Sequence, residues 1–461
     1  MRCMPEQMPI QKAERIDHQL VRAIGVPSLT ANIVNSTIGA GIFVLPALMA
    51  QGLGPAAPLA FIACAIAMIL FVTCFAIAGS RVSLTGGLYA YVEVAFGPFV
   101  GFLSGILYCL TAVCAVAGVV NVFVNSVAGL VPLLDNPIVR IVLIALVYGI
   151  LVLVNIRGVR EGAGAVTIVT VAKLVPILLF LGIGIFFVQP ANISWPVWPG
   201  SKALGDNVVL LMFAFVGIEV ALIPSGEVKN PERTVPRSCY LALVLTTIIY
   251  LLIQLVAQGT LGADLANYKD APLAEAAAKF LGNIGRTVLL AGATISAFGF
   301  VTSDILSSPR MIFAFGRDGA LPAWFARVNP RYRSPDVAII TYATIAFALS
   351  ISGTFERMAV LSNVAVLLMY LLCCAACWFL LHRDVRADGQ PFGFPGMKIV
   401  PVLAVVVIIG ILSQSAMSES RVGSDTRAGL RIAGIVLAIA AVLYLIRTRL
   451  RPSGNPGSIA I

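Results

Sequence analysis

The chain has 461 residues, of which 59% are hydrophobic and only 11% charged, and its mean hydropathy is +0.97. Soluble domains carry roughly 25% charged residues to keep their surfaces wet, and disordered chains are more charged and less apolar, so both classes are excluded. The net charge of +10 would suggest nucleic acid as a partner of a soluble protein, but no basic stripe with interleaved aromatics is present; a polytopic membrane protein places the same Lys and Arg in its cytoplasmic loops.

Residues 1–24 are polar and read as a cytoplasmic tail with no cleavable signal, because the first apolar run is a full crossing. Apolar runs then predict twelve spans, at 26–50, 55–80, 97–130, 137–156, 163–189, 206–225, 237–259, 284–314, 336–353, 357–381, 398–414 and 430–447. A helix needs about 20 apolar residues to cross. An even count puts both termini on one side. Alternating loops place more than twice as many Lys and Arg on the N-terminal side as opposite it. Both termini are therefore expected in the cytoplasm, with the protein multi-pass in the cytoplasmic (inner) membrane. The outer segment 263–282 reads as a short amphipathic helix, a lid or a simple connector. The inner segment 316–335 is basic, carries Trp324 and Phe325, and reads as a helix on the membrane surface or again a connector.

The first span reads IVNSTIGAGIFVLPALM, with Gly39 and Gly41 near its middle and Pro46 one turn on. The sixth reads MFAFVGIEVALIPSGEV, with Gly217 central and Pro224 and Gly226 near its end. Glycine costs about 1 kcal/mol inside a helix, and freed backbone groups in hydrocarbon cost several more unless satisfied. Small residues also serve close helix packing, but two interrupted helices in corresponding positions point to an inverted-repeat transporter with a midplane site. An unwound segment offers N–H groups to a carboxylate and carbonyls to an ammonium. The candidate substrate-binding positions are therefore Thr37, Ile38, Gly39, Ala40 and Gly41 in the first break, and Phe213, Ala214, Phe215, Val216 and Gly217 in the second.

Gly39-Ala40-Gly41-Ile42-Phe43 followed by Leu45-Pro46 resembles the first-helix motif of the amino acid–polyamine–organocation (APC) permeases. Thr85 to Tyr91, Phe213 to Glu219, Glu227 to Pro231 with Val235-Pro236, and Ser308 to Pro322 resemble further motifs of that superfamily in the same order. The resemblance implies an all-α fold of 12 transmembrane helices: a LeuT-type 5+5 inverted repeat with two discontinuous helices and two peripheral ones. The units would be a tail at 1–24, repeats at 25–189 and 190–382, two helices at 383–450 and a cytoplasmic tail at 451–461. It also implies amino acid transport by alternating access and puts an aromatic gate at Phe213. Arginine/agmatine antiporters resemble this region but have tryptophan at that position and lack a fifth-helix lysine, which favours a neutral or small amino acid here.

Among 31 Lys and Arg and 21 Asp and Glu, three lie well inside spans: Lys173, Glu219 and Asp304. Each costs at least about 2.5–3.5 kcal/mol at a helix centre on insertion scales, so a functional or pairing role is the default, and the functional one assigned to them is proton coupling or gating. Glu219 either holds the sixth-helix break by hydrogen bonds or titrates with the transport cycle. Lys173 sits too far from either end of its span to snorkel; the resemblance implies an ammonium standing in for a sodium ion, hence sodium-independent transport. Asp304 is expected to pair with Lys173, neutralising both, or to line the substrate or proton path.

Proton-coupled symport and exchange both remain open at this point. A polyamine carrier is less favoured, and a channel lacks a polar stripe. An enzyme lacks a nucleophile with its base, His18 and His382 being the two histidines. Cys373, Cys374 and Cys377 lack companion ligands for zinc, so no metal or cofactor is expected. The partners expected are an amino acid, protons and the bilayer, with a homodimer open.

Overall fold

The computed structural model describes residues 24–82, 87–134, 136–157, 163–195, 198–219, 222, 228–317, 320–385 and 390–450. Both tails lie outside the described residues, as do Thr85-Gly86, Pro224 to Glu227 and Asp318-Gly319 of the expected motifs. The described chain is helical, apart from one isolated parallel bridge between Ile24 and Val228.

In chain order the helices are α1 (Val26–Thr37), α2 (Leu45–Leu53), α3 (Ala57–Arg81), α4 (Leu88–Phe96), α5 (Pro98–Leu130), α6 (Pro137–Arg157), α7 (Ala163–Gly184) and α8 (Ser201–Phe215). Then follow α9 (Pro231–Leu261), α10 (Pro272–Ser307), α11 (Pro309–Arg317), α12 (Asp336–Ser352), α13 (Phe355–His382), α14 (Val400–Ala416) and α15 (Arg421–Leu450). Among the described residues, seven stretches are long and apolar enough to cross a membrane: Leu45–Arg81, Pro98–Leu130, Pro137–Arg157, Pro231–Asn267, Pro272–Arg317, Phe355–His382 and Arg421–Ile446. Shorter apolar helices cover Ala172–Phe187, Asp336–Ser352 and Val400–Ala416. Apolar residues exposed at helical spacing, such as Ile435, Ile439, Val442 and Ile446 on α15, form stripes suited to lipid.

Two arrangements repeat. The short α4 meets α5 at Gly97 (φ 88), and the short segment 272–281 meets the rest of α10 at Gly282 (φ 59). Both turns need a positive φ that glycine adopts freely. Packing repeats too: α5 lies against α13, and α10 lies against α7. Each contact runs through a glycine, Gly118 against Met358 and Phe355, and Gly292 against Pro176. Small residues let membrane helices approach this closely.

Three expectations are corrected. The sixth span begins earlier than expected and its helix stops at Phe215. The twelfth begins at Arg421, because its polar first turns find partners: Arg427 donates to the carbonyls of Ala416 and Ser418 in the preceding turn (2.7 Å each), and Asp425 pairs with Arg357 on α13. Between the end of α11 at Arg317 and residue 335 the only described helical piece is the four-residue turn Ala323–Ala326, which fits the connector rather than the surface helix. Pro322, Pro330 and Pro335 interrupt helix propagation there. The segment 263–282, expected on the outer side, does form short helical pieces, and buries Leu265, Leu273, Ala276 and Ala277.

Candidate functional site

α1 ends at Thr37, where Ile38 leaves helical geometry (φ −74, ψ 84), and order resumes in the 3-10 turn Gly41–Phe43 before α2. α8 ends at Phe215; Val216 is extended (φ −64, ψ 135) and Gly217 takes φ 118. The two breaks touch. A Cβ on Gly217 would stand 2.6 Å from the Ser36 carbonyl oxygen.

Side chains from three other helices satisfy the freed backbone. The Lys173 ammonium on α7 donates to the Asn35 carbonyl at 2.6 Å. The Tyr250 hydroxyl on α9 lies 2.8 Å from both the Thr37 and the Ala214 carbonyls, one on each broken helix. A hydroxyl has one hydrogen, so it donates to one of them at a time. Glu219 turns back on its own break: its Oε2 accepts from the Gly217 amide (3.1 Å) and from the Tyr370 hydroxyl on α13 (2.7 Å).

Other groups are left open. Among the described residues, the amides of Ala40, Gly41 and Ile42 meet no protein acceptor, and the carbonyls of Ile38, Phe213 and Phe215 no protein donor. The Phe213 ring covers the first break, packed on Gly41 and set edge-on to Phe355 with centroids 5.3 Å apart. The Phe215 ring, by contrast, is fully buried against Tyr250 at 5.4 Å, and works as core. One turn beyond Phe213, between α2 and α8, lies a cavity of about 290 Å³ with Leu48 and Leu210 among its lining.

The structure thus gathers Thr37 to Gly41, Phe213 to Gly217, Lys173 and Glu219 in one place. Asp304 stands apart from Lys173, and the expected ion pair between them is not formed. Its two oxygens accept from the hydroxyls of Ser308 (2.7 Å) and Tyr342 (2.5 Å). Pro176 meets Gly292 where α7 and α10 cross; Asp304 lies twelve residues beyond Gly292, about 18 Å along the helix. That separation exceeds a lysine's reach.

Tyr250 and Tyr370 are the residues that sequence reasoning missed. A lone tyrosine in mid-span is a usable signal, since its buried hydroxyl needs a partner. Tyr250→Phe is expected to lower stability by about 1–3 kcal/mol, the cost of leaving a buried acceptor unpaired. Thermal unfolding in detergent would measure it; a Tm equal to the parent's would show that the hydroxyl does not bind the breaks together.

Residues 24–441 match a family model described as amino acid permease. The serine/threonine exchanger SteT of Bacillus subtilis is 25% identical over 417 residues, covering 88% of this chain and 93% of that protein. The branched-chain amino acid permease BcaP of the same organism is 25% identical over 417 residues (86% and 88%). Its methylthioribose transporter is 28% identical over 426 residues (86% and 89%).

Proposed function

The chain belongs to the amino acid permease family, so it is a multi-pass membrane transporter and not an enzyme, and from that premise we propose that it carries a neutral amino acid across the cytoplasmic membrane by alternating access. The observation that carries this reading is the pair of touching breaks. Amides of Ala40 to Ile42 stand at the start of the second half-helix, where a carboxylate binds well, and carbonyls with no donor among the described residues stand nearby for an ammonium. Lys173, Glu219 and Asp304 are each engaged by protein groups, which disfavours any of the three as the receiver of a charged substrate side chain. The relatives named for serine/threonine and branched-chain substrates agree with a neutral cargo; the one named for methylthioribose widens the panel to be tested.

The proposed fold is the LeuT-type arrangement of twelve spans, cytoplasmic termini and two five-span repeats at 25–189 and 190–382. The mirrored Gly97 and Gly282 turns and the mirrored α5–α13 and α10–α7 packing support it. Transport is proposed to be sodium-independent, with the Lys173 ammonium doing at Asn35 what a bound cation would do for the same freed carbonyl. Glu219 and Asp304 are proposed for gating and proton movement in a symport cycle. Exchange is the second reading, favoured by the name of the serine/threonine exchanger.

Purified protein in proteoliposomes, offered a radiolabelled panel of neutral, basic and acidic amino acids and methylthioribose, tests the cargo. Uptake of neutral amino acids, equal in sodium and choline buffers, is expected. Uptake confined to charged solutes, or dependent on sodium, would refute the reading. Efflux strictly dependent on external substrate means exchange; net accumulation driven by a pH gradient means symport.

A further inference from the structure

The outer half of the sixth span is held by a part of the chain that transport at the breaks leaves without a task. The turn between α14 and α15 presses on the start of α8. Asp206, on α8 and only 6% exposed, accepts through Oδ2 from the hydroxyls of Ser418 (2.6 Å) and Ser420 (2.8 Å). Its Oδ1 is buried with no partner among the described residues. Nearby, the Gln414 amide donates to the Ser201 carbonyl at 2.7 Å, and a Cβ on Gly205 would stand 3.0 Å from the Gln414 side chain.

The hairpin that grips α8 is itself tightly bonded. Arg427 holds the carbonyls of Ala416 and Ser418, Ser415 is hydrogen-bonded to Thr426 at 2.9 Å, and the Gly423 amide donates to Ser420 Oγ at 2.9 Å. A buried acid is costly unless its partners are well placed, and hydroxyl-to-carboxylate bonds are among the stronger ones. Here all its partners belong to the hairpin of the last two spans. Asp206 and Phe213 are seven residues apart, two turns along one face of α8, so a tilt at Asp206 is passed to the ring over Gly41. The hairpin also walls the cavity above that ring, through Ser420, Arg421 and Val422.

We propose that Asp206 is a positioning residue for transport: through Ser418 and Ser420 it clamps the outer half of the sixth span to the hairpin of α14 and α15. The hairpin thereby sets how far the cavity above Phe213 opens. The inference rests on the alternating-access reading, but its test needs no substrate.

Leu210, in the cavity lining and 2% exposed, reports the opening when replaced by cysteine and labelled with a maleimide in detergent-purified protein. Combining Leu210→Cys with Ser418→Ala and Ser420→Ala is expected to speed labelling about tenfold, the order of effect of removing the donors of a buried acceptor. Asp206→Asn keeps an amide oxygen that both hydroxyls can reach, and is expected to stay within about threefold of the parent. Asp206→Leu should label like the double alanine variant. Unchanged labelling in the double alanine variant, which removes only two hydroxyls, overturns the clamp even if Asp206→Leu fails to fold. Equal labelling in Asp206→Asn and Asp206→Leu overturns it as well. If uptake assays refute transport while the labelling contrast persists, the clamp stands and the functional reading falls.

Discussion

Lys173→Ala is expected to reduce the initial rate of uptake by about a hundredfold or more in proteoliposomes, while the protein still purifies as a folded species. The ammonium donates to the Asn35 carbonyl at 2.6 Å, three residues before α1 leaves helical geometry. Alanine removes that donor inside the membrane, where each lost hydrogen bond to a backbone group costs up to several kcal/mol. Each 1.36 kcal/mol in the barrier is tenfold in rate, so even half of that cost is visible in transport. The rest of α1 is held elsewhere, by the Ile38 amide on Val34 and by Tyr250 on Thr37, so the loss should fall on the cycle more than on the fold. Lys173→Arg should restore little, since a planar guanidinium cannot replace a compact ammonium in a site 8% exposed. Uptake that requires sodium and is indifferent to Lys173→Ala would remove the residue from the mechanism.

The apolar periodicity and the glycines made the two breaks legible, because interrupted helices in hydrocarbon are costly and leave a visible signature. Lys173 and Glu219 were legible for the same reason: a charge in mid-span stands out against the residues around it. What satisfies the breaks was not. Tyr250 and Tyr370 reach them across the bundle, over 36 and 151 residues of chain to Ala214 and Glu219, and no local pattern announces such contacts. Asp304 misled for a related reason. Opposite charges on neighbouring helices invite pairing, but whether they meet depends on axial register, which is fixed by the Pro176–Gly292 crossing rather than by spacing in sequence. The start of α15 was missed because arginines near a helix end can be paid for by the turn before them, as Arg427 is by Ala416 and Ser418.

Two glycine substitutions separate what holds the breaks together from what the breaks are for. Gly217→Ala is expected to abolish uptake and to lower the unfolding temperature. Gly217 has φ 118, a conformation open to glycine and costly by about 1–3 kcal/mol for any other residue. The added methyl would also stand 2.6 Å from the Ser36 carbonyl oxygen and 3.3 Å from the Thr37 Cα. These are backbone atoms of the facing break, so neither can swing aside as a flexible side chain would. Gly39→Ala is the counterpart with room: the nearest heavy atom to its Cβ is the Thr37 carbonyl oxygen at 4.0 Å. Its backbone φ is not positive, and the position is only half-buried. This variant is expected to keep the parent's unfolding temperature to within a few degrees. Its uptake should nonetheless fall about tenfold or more, because a methyl group there occupies space that a substrate backbone needs when it approaches the Ala40 to Ile42 amides. Thermal unfolding and initial uptake rates on the same preparations decide between outcomes. If Gly39→Ala transports like the parent, the first break does not receive the substrate, and the site must be sought elsewhere along the bundle; if both variants unfold early, the glycines serve packing alone.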